Sequence, residues 1–344
     1  MTVSKPSQAA QLDFLAKLQR ILEEGQFTAT YKFALLSALV DIAVERGRDD
    51  ASRLRVPVRA IAEKFVELYW DHTKPFRGGV LSQNKGRNIA MLGLLEQVQT
   101  HAGTLAEARR TASWRGLLTR VAALVEVMPL FKLQRLRNDS RLIFLYEESI
   151  DGGEIEMLDG VAFCLRQFSG FIRLMVRSAW LSEIRRNGRN AYLVGEGANL
   201  EAFLFGDERV PLGKVRDVLL PMQGGKCFYC GQRMDSTVHV DHFIPYALYP
   251  ANQAHNLVLA HAGCNGNKSD LLADIPHLER WVERNQRQGI ELGAALEAQA
   301  IVADLAATEG AARWAYHRAD EAGALLWVRK GETRAFPRGV ALPI

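Results

Sequence analysis

Cysteine is scarce. Four residues in 344 are too few to build a disulfide scaffold in a chain of this length. Histidine is scarce too, at eight. Charge of one sign is missing: 43 Lys and Arg against 39 Asp and Glu leave a formal +4. Bulk charge therefore does not mark a nucleic-acid binder, and any basic surface must come from how the charges are distributed. No apolar run reaches the roughly eighteen residues that a membrane span needs. The opening MTVSKPSQAAQLDF lacks the apolar stretch and cleavage site of a secretory leader. The expectation is a cytoplasmic chain with no membrane partner, long enough for two or three domains with real cores.

Most of the first two hundred residues carry helical periodicity. QLDFLAKLQRILEEG repeats apolar residues at spacings of three and four and stops at Gly25. TATYKFALLSALVDIAVERG has Thr28 or Thr30 as a candidate cap and Gly47 as a stop. VPVRAIAEKFVELYWDH predicts a helix with Pro57 near its start. A Gly-, Asn- and Lys-rich connection covers 72–88, two more helices 89–127, and one long helix 158–187. RLIFLYEE reads as a short strand or helix end, DGGEIEMLDG as an acidic turn. Residues 225–262 read as turns and short strands, with a helix beginning near Cys264 or Asn265. Helix returns after Pro276, and ALLWVRKGETRAF predicts a closing hairpin. The fold class expected is mainly α, in three parts: a helical region 1–205, a small module 206–275 and a helical extension 276–344.

Three of the four cysteines fall between 227 and 264. CFYCG supplies Cys227 and Cys230, and HAGC supplies His261 and Cys264. Two short turns, each giving two ligands from one side, suit a tetrahedral ion. Three thiolates and one imidazole suit Zn²⁺, and four protein ligands leave no open position, so such a site is structural. Buried cysteines without metal are the bland alternative, and His255 is an alternative to His261 as the fourth ligand. Cys164, alone in an apolar helical stretch, reads as core.

Between the pairs stands VHVDHFIP. Side chains alternate along a strand, so Asp241 and His242 point to different sides. Asp241 is a hard oxygen donor suited to Mg²⁺, and a neutral imidazole at His242 can take a proton from water near neutral pH. Asn265, at the start of the next helix, offers a second oxygen ligand. Phosphodiester hydrolysis needs this division of labour: a base for the water and a cation on the phosphate and leaving oxygen.

From CFYCG through VDHFIP to NLVLAHAGCNGNKSD, about fifty residues, the chain resembles the HNH, or ββα-metal, endonuclease superfamily. The resemblance implies that Asp241 and Asn265 ligate a catalytic Mg²⁺ or Mn²⁺ and that His242 is the general base. It makes Asn256, in HNLVL, the residue holding loop and base in place, and it brings Lys268 to a phosphate. The zinc would staple strands and helix together. Two departures stand out: the last letter is Asn rather than His, and one zinc position is His261 where many relatives have Cys. His239 remains open as a metal neighbour, a phosphate contact or a solvent-facing strand residue.

Arginine is concentrated elsewhere. Residues 161–190 hold six arginines against one acid, with Arg166, Arg173 and Arg177 at spacings of seven and four on one helix face. The stretch 109–141 holds eight cations against two acids. Such stripes suit phosphate contact, and Lys85 and Arg87 could add to it from their loop. Tyr69 and Trp70 read as core. The expected activity is metal-dependent cleavage of DNA, in preference to RNA, leaving 3′-hydroxyl and 5′-phosphate ends. By family habit, such a nuclease serves as an effector of bacterial anti-phage defence alongside protein partners. The alternatives are a non-catalytic zinc-stabilised nucleic-acid-binding subunit of a larger complex and a nuclease toxin restrained by a partner.

Overall fold

The computed structural model describes residues 3–25, 29–84, 90–195, 199–206, 212–234, 238–337 and 339–344. The chain divides into two units, Met1–Asp207 and Glu208–Ile344.

In the first unit, helix α1 (Gln8–Glu24) starts where the Ser7 side chain accepts from the Ala10 amide and stops where the Gly25 N–H closes on Ile21. Its Phe14, Leu18 and Ile21 form the buried stripe. Helix α2 (Tyr31–Arg46) is apolar on nearly every side and buried through most of its length. Thr30 precedes it without a side-chain cap; its hydroxyl instead meets Tyr69 Oη at 2.7 Å and Gln83 Oε1 at 2.9 Å. Thr28, Lys85 and Arg87 lie outside the described residues. Strand β1 (Leu54–Pro57) leads into α3 (Val58–Tyr69), which packs on α2. Helices α4 (Ala90–Gln99), α5 (Leu105–Arg109), α6 (Ser113–Val127) and α7 (Pro129–Lys132) follow.

Strand β2 (Glu154–Met157) pairs antiparallel with β1, Leu54 opposite Met157. The acidic segment is therefore a turn at its ends, where Gly152, Gly153 and Gly160 take φ of 57°, 80° and 75°, and a strand in its middle. RLIFLYEE is neither strand nor helix. Buried Gln134 serves part of its backbone, accepting from the Phe144 and Leu145 amides at 2.9 and 2.8 Å and donating to the Tyr146 carbonyl at 3.0 Å, while Tyr146 makes an isolated antiparallel bridge to Met157 of β2. The expected long helix is broken at Phe168 (φ −105°, ψ 16°) into α8 (Val161–Gln167) and α9 (Ser169–Arg186), both packed on α2. Helix α10 (Leu200–Phe205) follows. Tyr69, Trp70 and Cys164 are core residues, and burial pushes the Cys164 thiol up to about 11.

The second unit starts with α11 (Leu212–Met222). Strands β3 (Val238–His242) and β4 (Leu257–His261) form an antiparallel hairpin, with His242 opposite Leu257 and Val238 opposite His261. Helix α12 (Ala262–Lys268) begins two residues before Cys264 and packs against both strands. Val240, Leu257 and Leu259, on one face, share a core with Val215 and Leu219 of α11 and with Leu292 and Leu296 of α13 (Ile275–Glu297). Helix α14 (Leu305–Ala322) and the hairpin β5 (Leu325–Arg329)–β6 (Glu332–Ala335) complete the unit. The Trp327 N–H donates to Leu272 and its carbonyl accepts from Asp274, both at 2.8 Å. Residues after 275 thus pack within the same unit as the module. Among the described residues no helix is long and apolar enough to cross a membrane.

Candidate functional site

The loop after α11 turns tightly: Gly231 N–H closes on the Cys227 carbonyl at 3.0 Å, and Gly231 takes φ of 71°, which a side chain would resist. This turn brings Cys227 and Cys230 to the point where β4 passes into α12, carrying His261 and Cys264. The ligand atoms of these four residues lie within 4.8 Å of one another. His261 Nε2 faces the Arg233 carbonyl at 3.2 Å. Donation there puts the ring proton on Nε2 and the lone pair on Nδ1, which lies 3.3 Å from Cys230 Sγ. Burial pulls Cys227 upward, yet the amides of Cys230, His261 and Tyr229 outweigh it and hold the thiol below its ordinary value. Cys264 is pushed up to about 12 by burial and by the sulfurs of Cys227 and Cys230. Thiolates this close repel one another, which is the demand a dication meets. The cluster fits a structural zinc site. His255 does not belong to it: this ring is buried, and its Nε2 meets the Gly289 carbonyl at 3.0 Å.

Strand alternation sorts the hairpin's polar residues. His239 and Asp241 share the α12 face. Asn265 Nδ2 approaches His239 Nδ1 at 3.4 Å, and Asp241 is buried at 8% exposure. Both hydrogen-bonding partners of Asp241 meet Oδ2, the Tyr229 hydroxyl at 2.5 Å and the Lys268 ammonium at 3.1 Å. Burial, then the Asp241 charge, raises Tyr229 well above its ordinary value, so it is a neutral donor. Lys268 is fully buried and donates also to the His242 carbonyl at 3.0 Å. Burial lowers its pKa and the Asp241 carboxylate opposes the shift. The expected phosphate contact of Lys268 is thereby corrected. Three residues after Asn265 on α12, its side chain is directed under β3 and clamps the Asp-His backbone from below.

His242 lies on the other face, half-buried, its Nε2 2.8 Å from Asn252 Oδ1 and its ring edge-on to Tyr246 at 5.2 Å. With Nε2–H donating to Asn252, the neutral ring carries its basic lone pair on Nδ1. Sequence spacing gave no signal for Asn252, which sits in an irregular loop ten residues after the histidine. Asn256 is fully buried. Its Oδ1 accepts from the Ile244 amide at 2.7 Å and its Nδ2 donates to the Ile244 carbonyl at 3.0 Å, while its own carbonyl accepts from Phe243 at 2.8 Å. These three bonds fix the segment that follows His242.

The three stripe arginines are engaged within the helical unit. Arg166, 2% exposed, donates to the carbonyls of Ala43, Val44 and Gly47 and to Asp49, at 2.8 to 3.1 Å. It satisfies the carbonyl end of α2. Arg173 is paired with Asp41 at 2.7 Å, and Arg177 lies 5.4 Å from the Phe205 ring centre. In the 109–141 stretch, Arg109 pairs with Glu67 and Arg141 with Glu148.

A two-stranded hairpin ending in Asp-His, a following helix that brings an asparagine to it, and a Cys₃His cluster at their junction define a zinc-stapled ββα module of the HNH kind. Residues 227–273 match the family model described as HNH endonuclease. Residues 10–200, more than half of the chain, match the domain of unknown function DUF8808, and the chain belongs to that family. No curated protein and no solved structure matches it.

Proposed function

We propose that the chain is an endonuclease that hydrolyses DNA phosphodiester bonds with His242 as general base. The observation that carries this reading is the setting of His242: Asn252 orients the ring, Asn256 fixes the segment behind it, and Asp241 and Asn265 lie on the opposite side of the same strand end. His242 Nδ1 takes a proton from water, and the resulting hydroxide attacks phosphorus. The 3′ oxygen leaves, giving 3′-hydroxyl and 5′-phosphate ends.

The donor set fits a divalent cation. The bonds to Asp241 fall on Oδ2, which leaves Oδ1, and the Asn265 amide meets His239 through nitrogen, which leaves its oxygen. Carboxylate and carboxamide oxygens with water suit Mg²⁺ or Mn²⁺. Asp241 and Asn265 would hold such an ion, which when bound supplies a Lewis acid for the scissile phosphate and its leaving oxygen. Tyr229 and Lys268 hold the carboxylate in place.

The test is plasmid cleavage by zinc-loaded, dialysed protein with Mg²⁺ or Mn²⁺ added back. Chelation alone is a poor test because it also removes the zinc. His242→Ala should lower the rate on the order of 10²–10⁴-fold. The ion pair that already neutralises Asp241 favours a second reading, a module that binds nucleic acid without cutting it. Equal rates for wild type and His242→Ala, with zinc and DNA both bound, would establish that reading instead.

A further inference from the structure

A cavity of about 280 Å³ opens between α11, the CFYC turn and α13, lined by Lys226, Phe228, Arg280, Glu283, Arg284 and Arg287 together with apolar residues of α11. Four cations face one acid, and that acid, Glu283, is paired with Arg287 at 2.7 Å. We propose that this cavity binds a phosphate group, specifically a backbone phosphate of the nucleic acid beside the one that is cleaved. The proposal rests on the reading that the module engages nucleic acid.

Arg284 carries the inference furthest. Its guanidinium donates to the carbonyls of Leu257 and His255 at 2.7 and 2.5 Å and to Asn285 Oδ1 at 2.8 and 3.1 Å, all of them neutral acceptors. Arg280 meets the carbonyls of Pro276 and Tyr229 at 3.3 Å, and the ring of His277. Among the described residues neither has a carboxylate partner. A cation removed from water without a counter-charge is costly, and burial does lower Arg284 to about 9. Both guanidiniums stand 5.9 Å from the Phe228 ring centre, which holds them in place before any ligand arrives. Arg284 differs from a solvated surface cation: its guanidinium is held by three neutral acceptors, while Lys226, Arg280 and Arg287 are exposed lining residues.

Position favours the polymer as the source of the phosphate. Leu257, whose carbonyl Arg284 holds, is the strand partner of His242. The cation is thus tied to the pair that carries the base, on the α13 face of the hairpin, where His242 also lies. The volume is just below the usual small-ligand range and suits one phosphate with its sugar.

The experiment measures duplex DNA affinity against salt for the full-length, zinc-loaded chain in a His242→Ala background without added Mg²⁺. It compares that chain with one also carrying Lys226→Gln, Arg280→Gln and Arg287→Gln. Zinc content and melting transition serve to show that the fold is kept. Each phosphate contact contributes about 0.9 to the slope of log K against log salt. The triple variant should therefore lower the slope by about one and weaken low-salt binding at least about tenfold. An unchanged slope with binding intact overturns the proposal and leaves the nuclease reading standing. If in that case a deoxymononucleotide binds the parent and not the variant, the site serves free phosphate compounds, and the backbone assignment is wrong. No duplex binding by either chain would overturn the proposal together with the reading it rests on.

Discussion

Arg166 in the helical unit and Arg284 in the C-terminal unit make nearly the same hydrogen bonds. Each caps backbone carbonyls that a helix or strand end would otherwise leave open. The difference is Asp49, which neutralises Arg166 at 2.9 Å, where Arg284 has only carbonyls and an amide. The pattern extends across each unit. In the first, Lys64 pairs with Glu45, Arg173 with Asp41, and Arg53 with Glu147 and Glu156, so these cations are closed internally. In the second, three cysteine sulfurs crowd together and, among the described residues, Arg280 and Arg284 have no carboxylate partner. Buried, strongly perturbed groups mark candidate binding sites; in the C-terminal unit these are the sulfur cluster and Arg284, and in the helical unit Lys32, which burial lowers to about 8, meets the Arg135 carbonyl.

The largest way to break this contrast is to remove the zinc. The apparent free energy of structural zinc binding is on the order of 10 kcal/mol, and the hairpin is only ten residues of strand. Chelation, or Cys264→Ser, should strip hydrogen-exchange protection from β3, β4 and α12. The amides of α2, α3 and α9 should stay protected, because their core contains no metal ligand. Loss of protection in both units would mean that their stabilities are not separate.

Next in size is the one ion pair buried beneath the candidate site. Lys268→Met leaves the Asp241 carboxylate with Tyr229 alone, and breaking a buried pair from one side costs about 3–5 kcal/mol. Pairing it with Asp241→Asn should recover part of that loss in denaturant titrations of the zinc-loaded protein. A loss of less than about 1 kcal/mol would show that Asp241 is well solvated. In the helical unit the comparable buried group is His72, whose Nε2 meets the Leu204 carbonyl at 3.0 Å and which burial lowers from 6.5 to about 4. Its folded pKa lies below its unfolded one, so stability is full above about pH 6.5 and falls as pH drops toward 4. The total is about 3 kcal/mol. Because protons also compete for the zinc ligands, the readout should be exchange of the α2 and α9 amides. His72→Gln should flatten it.

Sequence periodicity located the long helices and the closing hairpin because one buried stripe per helix and one turn per hairpin are local properties. It missed β1 and β2, four residues each, which pair with each other across a hundred residues. It also missed Gln134, whose side chain replaces a ladder. The Cys₃His frame was legible because ligand spacing is a local constraint. The roles of Arg166 and Lys268 were not: composition counts charges, while burial and partner are set by which element folds against which. Arg284 was invisible for the same reason, and Asn252, though inside the motif, sits in an irregular loop whose path the spacing does not set.

The smallest effect sharpens the opening contrast most directly. Arg166→Met leaves the Val44 and Gly47 carbonyls without that donor and Asp49 without its cation, and should cost about 3 kcal/mol. Arg284→Met removes comparable bonds, yet the His255 carbonyl keeps the Trp281 indole N–H at 2.9 Å and the Asn285 amide at 3.4 Å. Removing Arg284 also relieves a charge that has no counterpart, which offsets the one carbonyl it deprives, that of Leu257. The expected loss is about 1 kcal/mol or less, read as the difference in denaturant midpoints of the two units. Losses of equal size would mean that Arg284 is held as a packing cap like Arg166. A small loss in stability with a clear loss in DNA affinity would mean that its charge is kept for a ligand.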